Sequence, residues 1–398
     1  MKNKAVILGS NYYIALSVMR CLAPYGVTTV AAEYSKNGAY ALKSKHCKEV
    51  LMVPHYKKET KAFIKALIDY AKEQEAKPVL FPCADQYVEV IDENFDELKE
   101  HYLISQTEKG IYTKAMDKDS LYQIAESYGM KVPETARITD DDFYEKIENV
   151  IKYPCIIKPA DSPAFVAKFR RKIFKVHSRK ELDEALAKVK DAKLEVVVQR
   201  IIPGFDDHMH TFDAYIDQNN KVTHWLTCQK LRQFPINFGA SVFTQQKNVP
   251  ELYEIGAPFL EYLTFKGFAE IEFKKDEVTG DFYLIEINVR YSNLNTMVAK
   301  AGLNMPYITY RELTGDPLPP KTVEETTGIT FVYGYEDFLA VREYIKTKQL
   351  TLGHVIKTWF GRPKAYAIWS WSDPKPGLMV YAGVFKKIAR KIFRIKKK

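Results

Sequence analysis

The sequence predicts an α/β protein whose first domain is built on a parallel sheet, and three observations carry that reading. The first hundred residues alternate short apolar runs with amphipathic helical ones. A later stretch, FKGFAEIEFKKDEVTGDFYLIEINVR (265–290), has the pattern of a hairpin with acids at alternate strand positions. The proline cluster TGDPLPPK (314–321) then leads into a smaller region rich in Tyr, Phe and Trp.

Taken in order, KAVILG (4–9) is the first strand, followed by a helical run to about Ala23, then strands in VTTVAAE (27–33) and EVLMVP (49–54). The periodic segment ETKAFIKALIDYAKEQEA (59–76) is a helix, and KPVLFPC (77–83) a further strand. The first turn, ILGSNYYIA, holds one glycine, Gly9, and lacks G-x-G-x-x-G, so no dinucleotide site is expected there. A ligand can still meet this strand end, because open α/β sheets bind at the carboxyl ends of their strands. A helix is expected from about Lys118 to Tyr128, with Leu121, Ile124, Ala125 and Tyr128 on one face. YPCIIKPAD (153–161) is a strand that delivers Lys158 into a proline-terminated turn, and FVAKFRRKIFKVHS (165–178), alternating basic and apolar, reads as a strand pair. LEVVVQRIIPGFDDHMHTFDAYID (194–217) is a buried strand, a Pro-Gly break and a second strand. The hairpin turns at Thr279-Gly280 and brings Glu272 opposite the Glu286 face.

With 398 residues, 46% hydrophobic and 27% charged, the chain has room for two or three domains and is not a disordered sequence. No apolar run approaches the roughly 18 residues that span a bilayer, and the opening MKNKAVILGS runs into a strand, so a cytoplasmic protein is expected. The five cysteines, Cys21, Cys47, Cys83, Cys155 and Cys228, are scattered and never in C-x-x-C spacing; they read as small buried apolar residues. The net charge of +9 is local: eight basic residues and no acid lie in 384–398, which leaves the preceding chain at +1. Nucleic acid is therefore not the expected partner of the body. On a helix, Phe385, Ile388, Ala389, Ile392 and Ile395 of this tail share one arc, with Lys387, Arg390, Lys391 and Arg394 opposite, the pattern of a helix lying on an anionic membrane surface.

The chemistry concentrates in YLIEINVRYSN (283–293). On a strand, Glu286, Asn288 and Arg290 share one face while Ile285, Ile287 and Val289 share the other. Glu and Asn offer hard oxygen donors that suit Mg²⁺, and the Arg fork fits phosphate. A nucleotide with its metal is the first hypothesis; a half-buried strand with a solvated polar face gives the same pattern.

The ordered set of motifs resembles the ATP-grasp superfamily over roughly residues 1–313: a Rossmann-like first domain, "DK" before a helix, "YPxxxKP", a strand ending in "xxIPG", an acidic strand and "EIN-x-R". Within it the chain looks most like the D-aspartate ligase and carboxylate–amine ligase group, to which "ILGS" and "QKLRQFPINFG" are also similar. The resemblance implies a Rossmann-like domain over 1–112, a two-lobed ATP-grasp domain over 113–315, a small C-terminal extension over 316–383 and the basic tail over 384–398. It also implies ATP and Mg²⁺, with Mn²⁺ as a substitute. Glu272, Glu286 and Asn288 would hold the metal. Lys118 and Lys158 would hold phosphates, Gln199, Arg200, Ile201 and Ile202 would form the hinge that reads adenine, and Asp206 or Asp207 would hold the ribose. Lys230 or Arg232 would face the γ-phosphate, and Arg290 an acyl phosphate.

The activity so implied is an ATP-dependent ligase joining a small amino acid, D-aspartate or similar, to an amine of a cell-wall precursor. A dipeptide or envelope-polymer ligase is the alternative, and a non-catalytic ATP-binding protein on the inner face of the membrane a third reading. Dimers are common among the proteins it resembles. One departure stands out: the lid after "KP", ADSPAFVAKFRRKIFKV, has no glycine, so Lys168, Arg170 and Arg171 would replace backbone N–H groups toward phosphate. Asp207, His208 and His210 resemble part of a metal cluster, with His208 and His210 expected on one strand face, but the two histidines lack a third placed ligand, and Trp359, Trp369 and Trp371 are expected in the core.

Overall fold

The computed structural model describes residues 1–160, 162–360 and 362–395. The chain divides into two compact units: Met1–Leu121, Met209–Glu272 and Glu286–Lys398 form the first, and Tyr122–His208 with Phe273–Ile285 the second.

The amino-terminal sheet is parallel, as its alternation with helices requires. Strands β1 (Ala5–Leu8), β2 (Thr29–Glu33), β3 (Glu49–Met52) and β4 (Val79–Pro82) lie in the order β3-β2-β1-β4, with Ala5 opposite both Thr29 and Val79. β1 is buried on both faces, which accounts for its unbroken apolar run. The helix Tyr13–Leu22 is also buried almost all round, because residues from the end of the chain cover its outer face. There Asn295 Nδ2 donates to Ser17 Oγ at 2.9 Å, and Arg20 Nε meets Asp373 Oδ2 at 3.0 Å.

The second unit holds a smaller antiparallel sheet of β5 (Thr135–Arg137), β6 (Cys155–Pro159), β7 (Phe174–Val176) and β8 (Val196–Arg200), in the order β5-β8-β6-β7. The expected strand pair over 165–178 is a helix, Ser162–Phe169, followed by β7. Phe165 and Phe169, one turn apart with ring centroids at 4.8 Å, both pack on Phe174, so the apolar spacing serves a helix here.

The large sheet contains β9 (Met209–Ile216), β10 (Val222–Phe234), β11 (Ala240–Gln246), β12 (Gly267–Lys275), β13 (Phe282–Asn288), β14 (Lys321–Thr322), β15 (Thr330–Val332) and β16 (Lys364–Tyr366). Its order is β13-β12-β9-β10-β11-β15-β16, with β14 beside β10. The C-terminal region thus extends this sheet. Among its tryptophans Trp359 and Trp369 are half-buried, but Trp371 is 86% exposed, contrary to expectation. His208 lies in the short turn Asp206–His208 while His210 is on β9, so the two do not share a strand face.

The last helix, Lys375–Ile395, begins nine residues before the tail segment the sequence singles out and seats Gly377 on Trp369, where a Cβ would stand 2.7 Å from the ring. Of the tail arc, Ile388, Ile392 and Ile395, with Lys387, Lys391 and Arg394, lie outside the residues whose side chains are described. No described helix is long and apolar enough to cross a membrane.

Candidate active site

In the first unit, alternation along four neighbouring strands brings polar residues to one sheet face: Glu286 and Asn288 on β13, Glu270 and Glu272 on β12, Thr211 and Asp213 on β9, Cys228 and Lys230 on β10. Lys230, 2% exposed, reaches past β9 to place Nζ 2.5 Å from Glu272 Oε2. Burial alone would draw its ammonium down, and the Glu272 and Glu270 carboxylates outweigh that and hold it above its ordinary value. Lys118 pairs with Glu286 at 2.9 Å, so a residue expected at phosphate and one expected at the metal are brought together. Asn288 Nδ2 donates to Glu270 Oε1 at 3.0 Å, which leaves the amide oxygen as the end a metal would use.

Two acids of this face, Glu270 and Asp213, are buried. Burial, then the Asp213 and Glu272 charges, push the Glu270 carboxyl well above the usual range, against the pull of Lys230 and Arg290. Burial pushes Asp213 up to about 6, although Thr211 Oγ1 donates to it at 2.7 Å and Ser292 Oγ at 3.2 Å. Arg290 Nε meets Asp85 Oδ1 at 2.9 Å, and its Nη1 donates to the Tyr291 carbonyl at 3.2 Å. Burial works against its charge, and Asp85 and Glu270 more than offset it.

Arg232 does not join this face. It is fully buried, with its Nε 2.6 Å and its Nη2 3.0 Å from the Asp337 carboxylate, and its guanidinium lies 3.7 Å from the Phe243 ring centroid. The register against β11 shifts between Lys230 and Arg232 and again between Arg232 and Gln233. Such a bulge re-aims a side chain that simple alternation would put beside Lys230. Of the expected pair only Lys230 faces the acids, and Arg232 pairs with Asp337 instead.

In the second unit, Lys158 Nζ lies 3.4 Å from Gln199 Oε1 and 5.9 Å from the Tyr122 ring centroid. Gln199 pairs with Thr135 on one side and Ile156 on the other, in the middle of the small sheet. Arg200 ends the β8 ladder and is held by Glu134 at 3.1 Å and Asp276 at 3.2 Å. Ile201 and Ile202 follow it, beyond the end of the strand. The chain then turns through Gly204, at φ +111°, where a Cβ would stand 2.6 Å from the His208 ring. Lys274 Nζ clamps this turn by donating to the carbonyls of Gly204 at 2.6 Å and Phe205 at 2.5 Å. Asp206 is buried, while the exposed Asp207 pairs with His208 at 3.0 Å. Lys168 is exposed near the end of its helix, and Arg170, at φ +56°, closes it.

The donor chemistry fits Mg²⁺. Among the described residues no group of three or more His, Cys, Asp or Glu side chains converges, so an all-protein cage is not what these strands offer. Two carboxylates and an amide instead suit a cation that keeps water and takes phosphate oxygens. Sequence reasoning missed Asp85, Asp213 and Lys274. Asp213 did leave a signal, being an acid in the middle of a strand whose later neighbours, Phe212, Ala214, Tyr215 and Ile216, are apolar.

Comparison with known proteins gives the chain's similarities. Residues 124–311 match the family model described as D-ala D-ala ligase C-terminus. The chain is 28% identical over 292 residues to a D-aspartate ligase of Enterococcus faecium, covering 70% of this chain and 68% of that protein. It is 24% identical over 201 residues to a D-alanine–D-alanine ligase of Fusobacterium nucleatum, covering 46% of this chain and 59% of that one. Among solved structures, N5-carboxyaminoimidazole synthetase from Staphylococcus aureus, complexed with ADP, superposes with a TM-score of 0.65 at 16% identity over 87% of each chain. Biotin carboxylase from Campylobacter jejuni, in a β-γ-ATP complex, gives 0.63 at 18% identity over 79% of this chain and 72% of that one. The chain thus shares the fold of ATP-grasp enzymes, its sequence relatives are ligases that form carbon–nitrogen bonds, and ATP with Mg²⁺ is consistent with the nucleotides and metal of the solved neighbours.

Proposed function

We propose that the chain activates the carboxylate of a small amino acid as an acyl phosphate and joins it to an amine. The single observation that supports this most is the gathering on one sheet face of Glu272, Glu286 and Asn288 with Lys230 and Lys118. Moving a phosphoryl group onto a carboxylate brings two anions together, and catalysis is largely a matter of placing positive charge around them. Lys230 is preorganised for that role by its contact with Glu272. Arg290, fixed by Asp85, offers a planar fork to a carboxylate or acyl phosphate. Mg²⁺, held by Glu272, Glu286 and Asn288, would neutralise phosphate oxygens. In the second unit, Lys158 would hold phosphate, Gln199 to Ile202 would read adenine, and Asp207 would take the ribose hydroxyls.

Similarity to the Enterococcus D-aspartate ligase favours D-aspartate or a related amino acid as the carboxylate donor, and the acceptor we propose is a side-chain amine of a cell-wall peptide precursor. The D-alanine–D-alanine ligase relatives support a second reading, in which the acceptor is another amino acid. One screen tests both: Mg-ATP and hydroxylamine with each D- and L-amino acid, scored for hydroxamate, then with amine acceptors for ADP release. Hydroxamate from D-aspartate alone supports the first reading. ATP turnover that no amino acid stimulates would sink both.

A further inference from the structure

We propose that the exposed side of the last helix docks the protein on an anionic lipid surface. Gly377, Val380, Tyr381 and Val384 face the protein body, buried or half-buried. Turned away from them, Leu378 (57% exposed), Ala382, Phe385 (70% exposed) and Ala389 follow each other at intervals of three and four residues. They form one apolar stripe along about three turns, mostly exposed to solvent. Exposed Lys386 and Arg390 stand one residue round from Phe385 and Ala389, so a row of cations borders the stripe.

A second feature adjoins it. Trp371, 86% exposed, is braced edge-on against Trp369 at 5.1 Å and 88°, and Trp369 supports Gly377 of the helix. A tryptophan held rigidly in solvent beside an apolar stripe is suited to the headgroup layer, where an amphipathic ring has one wet and one apolar side.

Charge complementarity selects the occupant. Segment 384–398 carries eight basic residues and no acid, on a chain whose remainder is close to neutral. A second copy would bring the same positive face against itself. A nucleic acid would meet the cations but would leave Leu378 and Phe385 without a partner. An anionic bilayer satisfies both, taking the stripe into its interface and the cations at its headgroups.

The test is flotation of the full chain with phosphatidylglycerol vesicles and with phosphatidylcholine vesicles, at low salt and at about 0.5 M salt, where charges are screened within a few ångströms. Binding is expected to phosphatidylglycerol only, weakened by salt, with tryptophan emission moving to shorter wavelength and that movement lost in Trp371→Phe. The pairs Leu378→Asp with Phe385→Asp, and Lys386→Glu with Arg390→Glu, are each expected to weaken partition by about tenfold or more. ATP turnover on soluble substrates is expected to be unchanged in every variant, which keeps this proposal separable from the assignment of the ligase. Binding that ignores Leu378→Asp with Phe385→Asp would overturn it. Displacement from vesicles by duplex DNA, or a vesicle-free dimer dissociated by the same pair, would overturn it in favour of nucleic acid or a second copy.

Discussion

Lys230 on β10 and Glu272 on β12 meet at 2.5 Å across the strand between them, the lysine 2% and the glutamate 13% exposed at their side chains. Removing one member of such a pair strands the other charge, a loss of about 3–5 kcal/mol. Glu272→Gln is therefore expected to lower the midpoint of urea unfolding and to abolish Mg²⁺-dependent turnover together. The double variant Glu272→Gln with Lys230→Met is expected to regain most of the stability and none of the activity. Recovery of turnover in the double variant would remove both residues from the site.

Arg290→Lys keeps a charge beside Asp85 but loses the planar fork. Turnover is expected to fall by about a hundredfold, the usual loss for one directed donor at a developing anion, while the thermal midpoint moves little. Wild-type kcat in this variant would make Arg290 a partner of Asp85 and nothing more.

Arg232 and Asp337 are expected to act on stability alone. Arg232→Met is expected to cost about 3–5 kcal/mol by leaving Asp337 buried and unpaired. ATP affinity by calorimetry is expected to stay at the wild-type value, and Arg232→Met with Asp337→Leu to restore much of the stability.

Lys158→Ala tests the second unit. Loss of a cation beside a polyphosphate is expected to weaken ATP binding without unfolding the protein, since the residue is only half-buried and Gln199 retains its bond to Thr135. Calorimetry and circular dichroism read the two effects separately. An unaltered ATP affinity would place the nucleotide elsewhere.

Asp213 gives a pH signature. Its carboxyl titrates near 3.8 in the unfolded chain and near about 6 when folded, so between these values the folded protein binds more protons. Stability is then full below the lower value and falls as pH rises through the upper one. Asp213→Asn is expected to flatten this slope and to unfold at higher urea than wild type above about pH 6. A wild-type slope in the variant would locate the extra protons on another group.

Much of the fold was legible because burial imposes simple periods. β1 is apolar throughout since both faces are covered, and the β12–β13 hairpin alternates since one face packs and the other carries acids. The same rule failed at Arg232, where a bulge interrupts the period, and at 162–169, where a phenylalanine pair one turn apart outweighs an alternating look. Asp85 was hidden for a different reason. As an acid in the first turn of the helix Asp85–Glu93 it has an ordinary local role, and its pairing with Arg290 depends on chain from the other end of the sequence.

The cover over the helix Tyr13–Leu22 bears on how the protein is made. Arg20 waits for Asp373, 353 residues later, and Ser17 for Asn295, 278 residues later. The second unit has a similar dependence, since the Lys131 carbonyl accepts from the Leu284 backbone N–H only when the distal end of the hairpin has been synthesised. Contacts so distant in sequence make for slow folding, and a chain emerging from the ribosome exposes the apolar faces of its first helices until its last third is complete. Full-length synthesis, more than any single local element, is what closes this core.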